Sequence, residues 1–132
     1  MYRQLAVAAD LVIVCSGRYA FAIDAATGLT RWTHSLNAAP CRAVVANDKV
    51  YIAGDRELAS LDYATGTPIF RIQTDLFPDV TLVVDGPRIF VGARGKVACF
   101  DQSGQKLWGN DLGTGSAVRF AAAGLAQEAD PS

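Results

Sequence analysis

Three returns of one short motif predict an all-β protein built from repeated four-stranded sheets. The motif runs from Ile23 to Trp32 and reads Ile-Asp-Ala-Ala-Thr-Gly-Leu-Thr-Arg-Trp. Its Asp24, Thr27, Gly28 and Trp32 return as Asp62, Thr65, Gly66 and Phe70, and again as Asp101, Ser103, Gly104 and Trp108. The glycines and the aromatic residues are each spaced by 38 residues. A second observation is the alternation of side chains entering the motif, as in Tyr19, Phe21 and Ile23, which marks a half-buried strand. A third is the pair of proline-bearing links, 37–41 and 75–79, that separate the units. A period this long with strand-type flanks fits supersecondary units stacked or arranged in a ring, most simply the blades of a β-propeller.

The motif itself is predicted to be a hairpin turn. An Asp carboxylate accepts hydrogen bonds from amides two or three residues further on, and Gly takes the positive φ that a tight turn needs. Trp32, Phe70 and Trp108 then fall in the departing strand. A large ring recurring once per unit is suited to packing between neighbouring units, where aromatic area contributes most. The Asx-turn role accounts for Asp24, Asp62 and Asp101, so no metal is assigned to them.

Laid on the period, each unit reads as four strands. The first blade (4–36) has strands at Gln4 to Ala8, Leu11 to Cys15, Arg18 to Asp24 and Leu29 to Leu36. The second (42–74) has Arg42 to Ala46, Lys49 to Ala53, Glu57 to Asp62 and Pro68 to Thr74, with Asn47-Asp48 as a two-residue turn. The third (80–112) has Val80 to Val84, Arg88 to Val91, Lys96 to Asp101 and Gln105 to Leu112. Its first turn is Asp85-Gly86, and Pro87 opens the next strand. The links must cross from the outer edge of one blade to the inner strand of the next, which the stiff Pro40 and Pro78 suit. The whole of 1–132 is expected to form a single propeller-repeat domain.

The tail continues the phase. Val44, Leu82 and Phe120 are equally spaced, which predicts an inner strand of a fourth unit over Ala117 to Ala123. An Ala-rich helix with Val118, Ala122 and Leu125 on one face is the competing reading; Gly124 is a poor residue for a helix interior.

With the motif residues in view, Ala22-Ile23-Asp24-Ala25-Ala26-Thr27-Gly28 through Trp32 resembles the blade motif of the pyrroloquinoline-quinone-type (PQQ-like) propeller repeats, Ala-Leu-Asp-x-x-Thr-Gly-x-x-x-Trp. Ser60 through Phe70 is similar, with Phe in place of Trp. Cys99 through Trp108 departs further, with one residue fewer in the turn. The resemblance implies the scaffold, because such blades serve quinoprotein dehydrogenases, outer-membrane assembly lipoproteins and plain binding propellers alike. The dehydrogenases carry a cysteine pair and calcium ligands at their site, and neither maps onto this sequence.

Composition bounds the rest. Hydrophobic residues make up 51% and charged residues 19%, which fits a well-buried globular protein and argues against disorder. The net charge of −1 gives no global reason to expect nucleic acid or an anionic membrane. No apolar run approaches the length of a membrane span, and no leader pattern opens the sequence, so a cytoplasmic location is expected. Cys15, Cys41 and Cys99 form no metal-ligand spacing, and their odd count favours free thiols. Cys15 and Cys99 are expected to fill small buried positions, leaving Cys41 as the thiol to test.

No catalytic residue, cofactor or metal site is assigned. His34, the single histidine, lies near the end of an outer strand, and no nucleophile elbow, phosphate loop or zinc motif occurs. One constellation remains. Arg18, Arg56 and Arg94 recur at the same 38-residue spacing, each in the turn between the second and third strands, with Lys96 beside Arg94. They are read either as a basic rim around the axial opening that holds an anionic peptide, a nucleotide or a phosphate, or another protein, or as solvated turn arginines, paired locally with Asp55 and Glu57 in the second unit. The expected function is a non-enzymatic binding or scaffold module working as an assembled ring; the alternative is a fragment or accessory subunit of a quinoprotein oxidoreductase. Three blades cannot easily close alone, so the expected partner is a second copy. The resulting homodimer of six blades is placed ahead of a nine-bladed trimer or a ring completed by a different protein.

Overall fold

A computed structural model describes residues 10–121 and 126–127. Three antiparallel sheets follow one another along the chain, and none of the described residues is helical. The first sheet holds β1 (Leu11–Ser16), β2 (Tyr19–Asp24) and β3 (Thr30–Ser35) in that order. The second holds β4 (Cys41–Ala46), β5 (Lys49–Gly54), β6 (Glu57–Asp62) and β7 (Pro68–Gln73). The third holds β8 (Thr81–Asp85), β9 (Arg88–Ala93), β10 (Lys96–Phe100) and β11 (Lys106–Asp111), with β12 (Ala126–Gln127) added beside β8. These are the up-and-down sheets of propeller blades; the arc they form is not closed. The strand expected at Gln4 to Ala8 lies outside the described residues.

The motif turns form as Asx turns. Oδ1 of Asp24 accepts from the amides of Ala26 and Thr27, and Oδ1 of Asp62 from Ala64 and Thr65. Asp101 holds Ser103 and Gln105 in the same way across its shorter turn. Gly28, Gly66 and Gly104 close these turns at φ of 77°, 75° and 89°, a region that a side chain would strain.

Those glycines are also where the blades meet. The ring of Trp32 lies over Gly66, so that a Cβ built there would stand 2.6 Å from the ring, and Phe70 covers Gly104 at 2.7 Å. The Trp32 indole N–H donates to the Tyr63 carbonyl at 3.0 Å. Between the first two blades, Ala20, Leu36, Cys41, Val50, Ile52 and Leu61 form one buried cluster. Between the second and third, Tyr51, Leu58, Leu82, Ile89, Val91 and Phe100 belong to a larger one. Each fully buried aliphatic side chain contributes roughly 1.5–3 kcal/mol, so the faces of the blades, more than their edges, hold the arc together. The side chains divide cleanly by face because cross-strand neighbours such as Val50 and Leu61 share one side of the sheet.

Several expectations are corrected here. Cys15 and Cys41 form a disulfide between the first and second blades, with Cα atoms 5.7 Å apart. Cys15 is therefore not a filler thiol and Cys41 not a free one; the separation of 26 residues gave no sign that β1 and the start of β4 meet. Cys99 alone is a free thiol, and it is buried. The strand expected over Ala117 to Ala123 is absent from 117–121, and 122–123 lie outside the described residues. Val118 instead lies against Gly92 and Thr81 on the far face of the third blade. Strand β12 pairs antiparallel with β8.

The third blade is also shifted by one residue. Asp79, at φ 58°, is an extra residue after Pro78, and the shorter turn at Asp101 removes one again. Strand β8 therefore runs to Asp85, and Pro87 lies in the turn rather than opening β9.

Two measurements check this arrangement. Thiol titration of protein kept from reductants is expected to find no reactive group in the native state, one on denaturation and three after reduction, and reduction should lower stability by roughly 2–4 kcal/mol. Gly66→Ala is expected to destabilise by about 2–3 kcal/mol in urea, combining the left-handed backbone with the collision against Trp32. Gly86→Ala, also at positive φ but facing open space, should cost about 1 kcal/mol.

Candidate functional site

The hairpins β1–β2, β5–β6 and β9–β10 all turn at one end of the sheets, and the links 36–40 and 74–80 pass the same end. The sequence-singled arginines gather here, and each is held by its own neighbourhood. Arg18 donates to the Leu36 carbonyl and to the Tyr19 hydroxyl, both at 3.0 Å, and its guanidinium stands 4.8 Å from the Tyr19 ring centre. Arg56 stacks on Phe77 at 3.8 Å, while its own amide donates to the Leu76 carbonyl. Arg94 is ion-paired to Asp79 at 2.7 Å. All three are exposed.

The three arginines do not occupy equivalent positions. The β1–β2 and β5–β6 pairings close on Ser16 with Tyr19 and on Gly54 with Glu57, so Arg18 and Arg56 are second turn residues. The β9–β10 pairing closes on Ala93 with Lys96, which makes Arg94 the first turn residue and Gly95 the counterpart of Arg56. Both members of that last pair have positive φ, 67° at Arg56 and 68° at Gly95. Lys96 lines a cleft of about 310 Å³ together with Asp75, Lys106 and Asp111 among others.

The local partners differ from those expected of a paired turn arginine. Glu57 is buried, 2% exposed, and its carboxylate takes an ion pair from Arg71 and the backbone amide of Asn37 at 2.9 Å, not Arg56. His34, near the end of its outer strand, is buried nearby with no partner for Nε2 among the described residues. Burial pushes the His34 imidazole below its ordinary value, the Arg71 charge adds to this, and the Glu57 charge opposes it. Asp24 is held below the usual carboxylate range, first by its hydrogen bond from Arg31 and then by the turn amides.

Asp55 goes the other way. Oδ1 is buried without a partner among the described residues, and burial, then the Asp79 charge, raises the carboxyl against a smaller opposing pull from Arg56. Tyr19, Phe77 and Asp79 are the rim residues that sequence reasoning missed. Tyr19 carried a signal, an aromatic residue directly beside a turn arginine; Phe77 and Asp79 reach the rim from links whose course the repeat does not specify.

Among the described residues no group of three or more His, Cys, Asp or Glu side chains is arranged to hold a metal ion, and no helix is long and apolar enough to cross a membrane. The disulfide joins strands of two blades.

Sheets of this order, joined ring over glycine, define a β-propeller repeat protein of the PQQ-like type. The family model described as outer membrane protein assembly factor BamB matches residues 3–126, and the chain belongs to that family. Among solved structures it is similar to BamB from Moraxella catarrhalis, with 23% identity and a TM-score of 0.61, covering 77% of this chain and 34% of that one. It is also similar to a quinohemoprotein alcohol dehydrogenase from Comamonas testosteroni, with 23% identity and a TM-score of 0.61, covering 76% and 19%. The computationally designed Ika8 protein matches with 21% identity and a TM-score of 0.66, covering 90% and 42%. The chain thus spans about a third of the BamB structure and less of the dehydrogenase, and likeness at these identities shows the fold alone. No curated protein sequence matches it significantly.

The raised Asp55 carboxyl gives a signed expectation. The folded protein holds this proton more tightly than the unfolded chain, so folding loses stability as pH rises from the ordinary carboxylate range through the raised value. Asp55→Asn, which mimics the neutral acid, is expected to raise the melting temperature near neutral pH and to match the wild type at about pH 3, where both forms are uncharged. Thermal melts at the two pH values test this, and an equal gain at both would assign it to packing.

Proposed function

We propose that this chain is a non-enzymatic binding and scaffold module that acts within a closed ring of blades and presents the rim of Arg18, Arg56 and Arg94 to an acidic peptide of a partner protein. The observation that carries the reading is the support under two of the guanidinium groups. Arg18 on Tyr19 and Arg56 on Phe77 are exposed Arg–aromatic pairs at the same end of their sheets, with both rings themselves partly open to solvent. Such stacking holds a guanidinium in place before a ligand arrives, and Arg with Tyr, Trp or Phe is the combination enriched at protein interfaces. The relative described as an outer membrane protein assembly factor supports a protein as the class of partner.

Arg94 has a different part. Its charge is already met by Asp79, so it contributes less to an incoming carboxylate than the two stacked arginines. Lys96 lies among carboxylates in its own cleft and is set aside. The fold likeness to the alcohol dehydrogenase keeps the second reading, an accessory portion of a quinoprotein oxidoreductase, in view. Titration of the purified protein with pyrroloquinoline quinone, followed by absorbance, decides against it if no saturable binding occurs. For compartment we propose an oxidising one in place of the cytoplasm, supported by the Cys15–Cys41 disulfide.

Binding of a fluorescein-labelled decaglutamate peptide, read by anisotropy at low salt, tests the rim. Arg18→Glu with Arg56→Glu is expected to weaken it by roughly tenfold or more, and added salt should weaken the wild type in the same direction. Arg94→Glu alone should have a smaller effect. Unchanged affinity in the double variant would leave these arginines with local roles only.

A further inference from the structure

We propose that the cleft between the second and third blades, walled by Lys96, Lys106, Asp75 and Asp111, binds a free α-amino acid with an apolar side chain. The site is separate from the arginine rim and does not depend on closure of a ring. Its walls are the link after β7 and the β10–β11 hairpin, so it lies at a junction that the structure describes on both sides.

The repeat supplies its own comparison. At the first junction a cleft of about 400 Å³ is lined by Asn37, Glu57, Arg71, Ile72 and Gln73. At the second, the cleft of about 310 Å³ is lined at the corresponding positions by Asp75, Lys96, Gly109, Asn110 and Asp111. The correspondence follows from register. Glu57 pairs with Gln73 and Ala59 with Arg71 across β6–β7, just as Lys96 pairs with Asp111 and Ala98 with Gly109 across β10–β11. The links agree, because the amide of Leu36, before Asn37, donates to the Arg18 carbonyl as that of Thr74, before Asp75, donates to the Arg56 carbonyl.

In the first cleft the charges satisfy one another. Glu57 takes the ion pair from Arg71 and the amide of Asn37 at 2.9 Å, and Arg71 also donates to the Asn37 side-chain oxygen at 3.4 Å. In the second cleft Lys96 stands in the place of Glu57, and Gly109 in the place of Arg71 removes the cross-strand partner. Lys106 bends over that glycine, with Cε and Nζ 2.8 and 2.9 Å from where a Cβ would stand, and brings a second ammonium. Asp75 replaces Asn37 and Asp111 replaces Gln73, which brings two carboxylates. Among the described residues no ion pair joins these four side chains. Oδ1 of Asp111 accepts from the Gly113 amide at 2.9 Å.

Charges of both signs that share a cleft without pairing fit a ligand that carries both. Its carboxylate meets Lys96 and Lys106, doing for Lys96 what Arg71 does for Glu57, and its ammonium meets Asp75 and Asp111. A simple anion would face the two acids as well, and a simple cation the two lysines, so complementarity selects the zwitterion. The side chain is specified by a neighbouring hollow of about 410 Å³, which shares Asp75 and Lys106 with the cleft and is also lined by Ile72, Phe100 and Gly104. An apolar group is favoured there because it leaves water for an apolar wall. Spaces of this size suit a small molecule.

Titration of the isotope-labelled chain with L-leucine, followed by amide NMR shifts, tests the proposal. Leucine is expected to give saturable shifts at the amides of Asp75, Lys96, Gly109 and Asp111. Isocaproate, which lacks the ammonium, and isoamylamine, which lacks the carboxylate, are each expected to bind roughly tenfold more weakly or worse. Glycine, without the side chain, should also bind more weakly than leucine. Asp75→Asn with Asp111→Gln should lower the affinity for leucine to that for isocaproate. Lys96→Glu with Gly109→Arg rebuilds the ion pair of the first junction and is expected to abolish binding, with circular dichroism checking that the β structure is kept. The aspartate variant, confined to exposed side chains, carries the test if the rebuilt one loses its fold. Absence of a saturable shift with leucine overturns the proposal, and so does isocaproate, isoamylamine or glycine binding as tightly as leucine. Leucine binding kept by a folded rebuilt variant, or undiminished in the aspartate variant, overturns it as well.

Discussion

An aromatic ring packed against a backbone glycine is the contact on which the arc depends. A blade is a twisted sheet with two apolar faces, and neighbouring blades must approach closely enough for those faces to exclude water. At the outer end the approach is set by Trp32 on Gly66 and Phe70 on Gly104, where a Cβ would stand 2.6 and 2.7 Å from a ring atom, closer than van der Waals contact allows. The glycine thus has two duties, left-handed backbone for the turn and the absence of a side chain beneath the ring. Both must be met by one residue, which explains why the turn and the packing recur together.

The polar groups near the blade junctions serve the same geometry. Each motif Asp satisfies the amides of a turn that would otherwise face the seam, and in the first blade Arg31 completes the second carboxylate oxygen of Asp24. Tyr63 reaches from the second blade to donate to and accept from the backbone of Leu11 in the first, and Gln102 accepts from Lys49 and Tyr51 in the same relation one blade on. Buried Glu57, held by Arg71 and the Asn37 amide, fastens the first link against the second blade. A buried carboxylate deprived of such partners would be costly, so this network fixes the link's path. The Cys15–Cys41 disulfide adds a covalent tie across the same junction.

That fixed path also positions the candidate binding rim. Links that cross from outer to inner strand must pass the end where the second hairpin turns, and this brings Leu36, Phe77 and Asp79 beneath Arg18, Arg56 and Arg94. The rim is thus a product of blade connection rather than of a dedicated insertion. Its arginines differ in availability for that reason: two rest on aromatic rings and remain charged toward solvent, and one is neutralised by an inserted acid.

The sequence by itself determined the repeat, the sheets and the family resemblance, because Asp, Gly and an aromatic residue at fixed offsets are demanded by turn geometry and packing that act locally. It determined the places of the motif residues for the same reason. It did not reveal the one-residue shift of the third blade, since the added Asp79 and the shortened Asp101 turn cancel and leave the glycines in phase; Arg94 shares that spacing while occupying a different turn position. Only the tertiary structure decided that Cys15 meets Cys41, that Glu57 belongs to Arg71, and that 117–121 run across a sheet face without joining it as a strand. Those outcomes depend on how neighbouring blades pack and on where the links cross, and such contacts join residues whose separation in the chain carries no period.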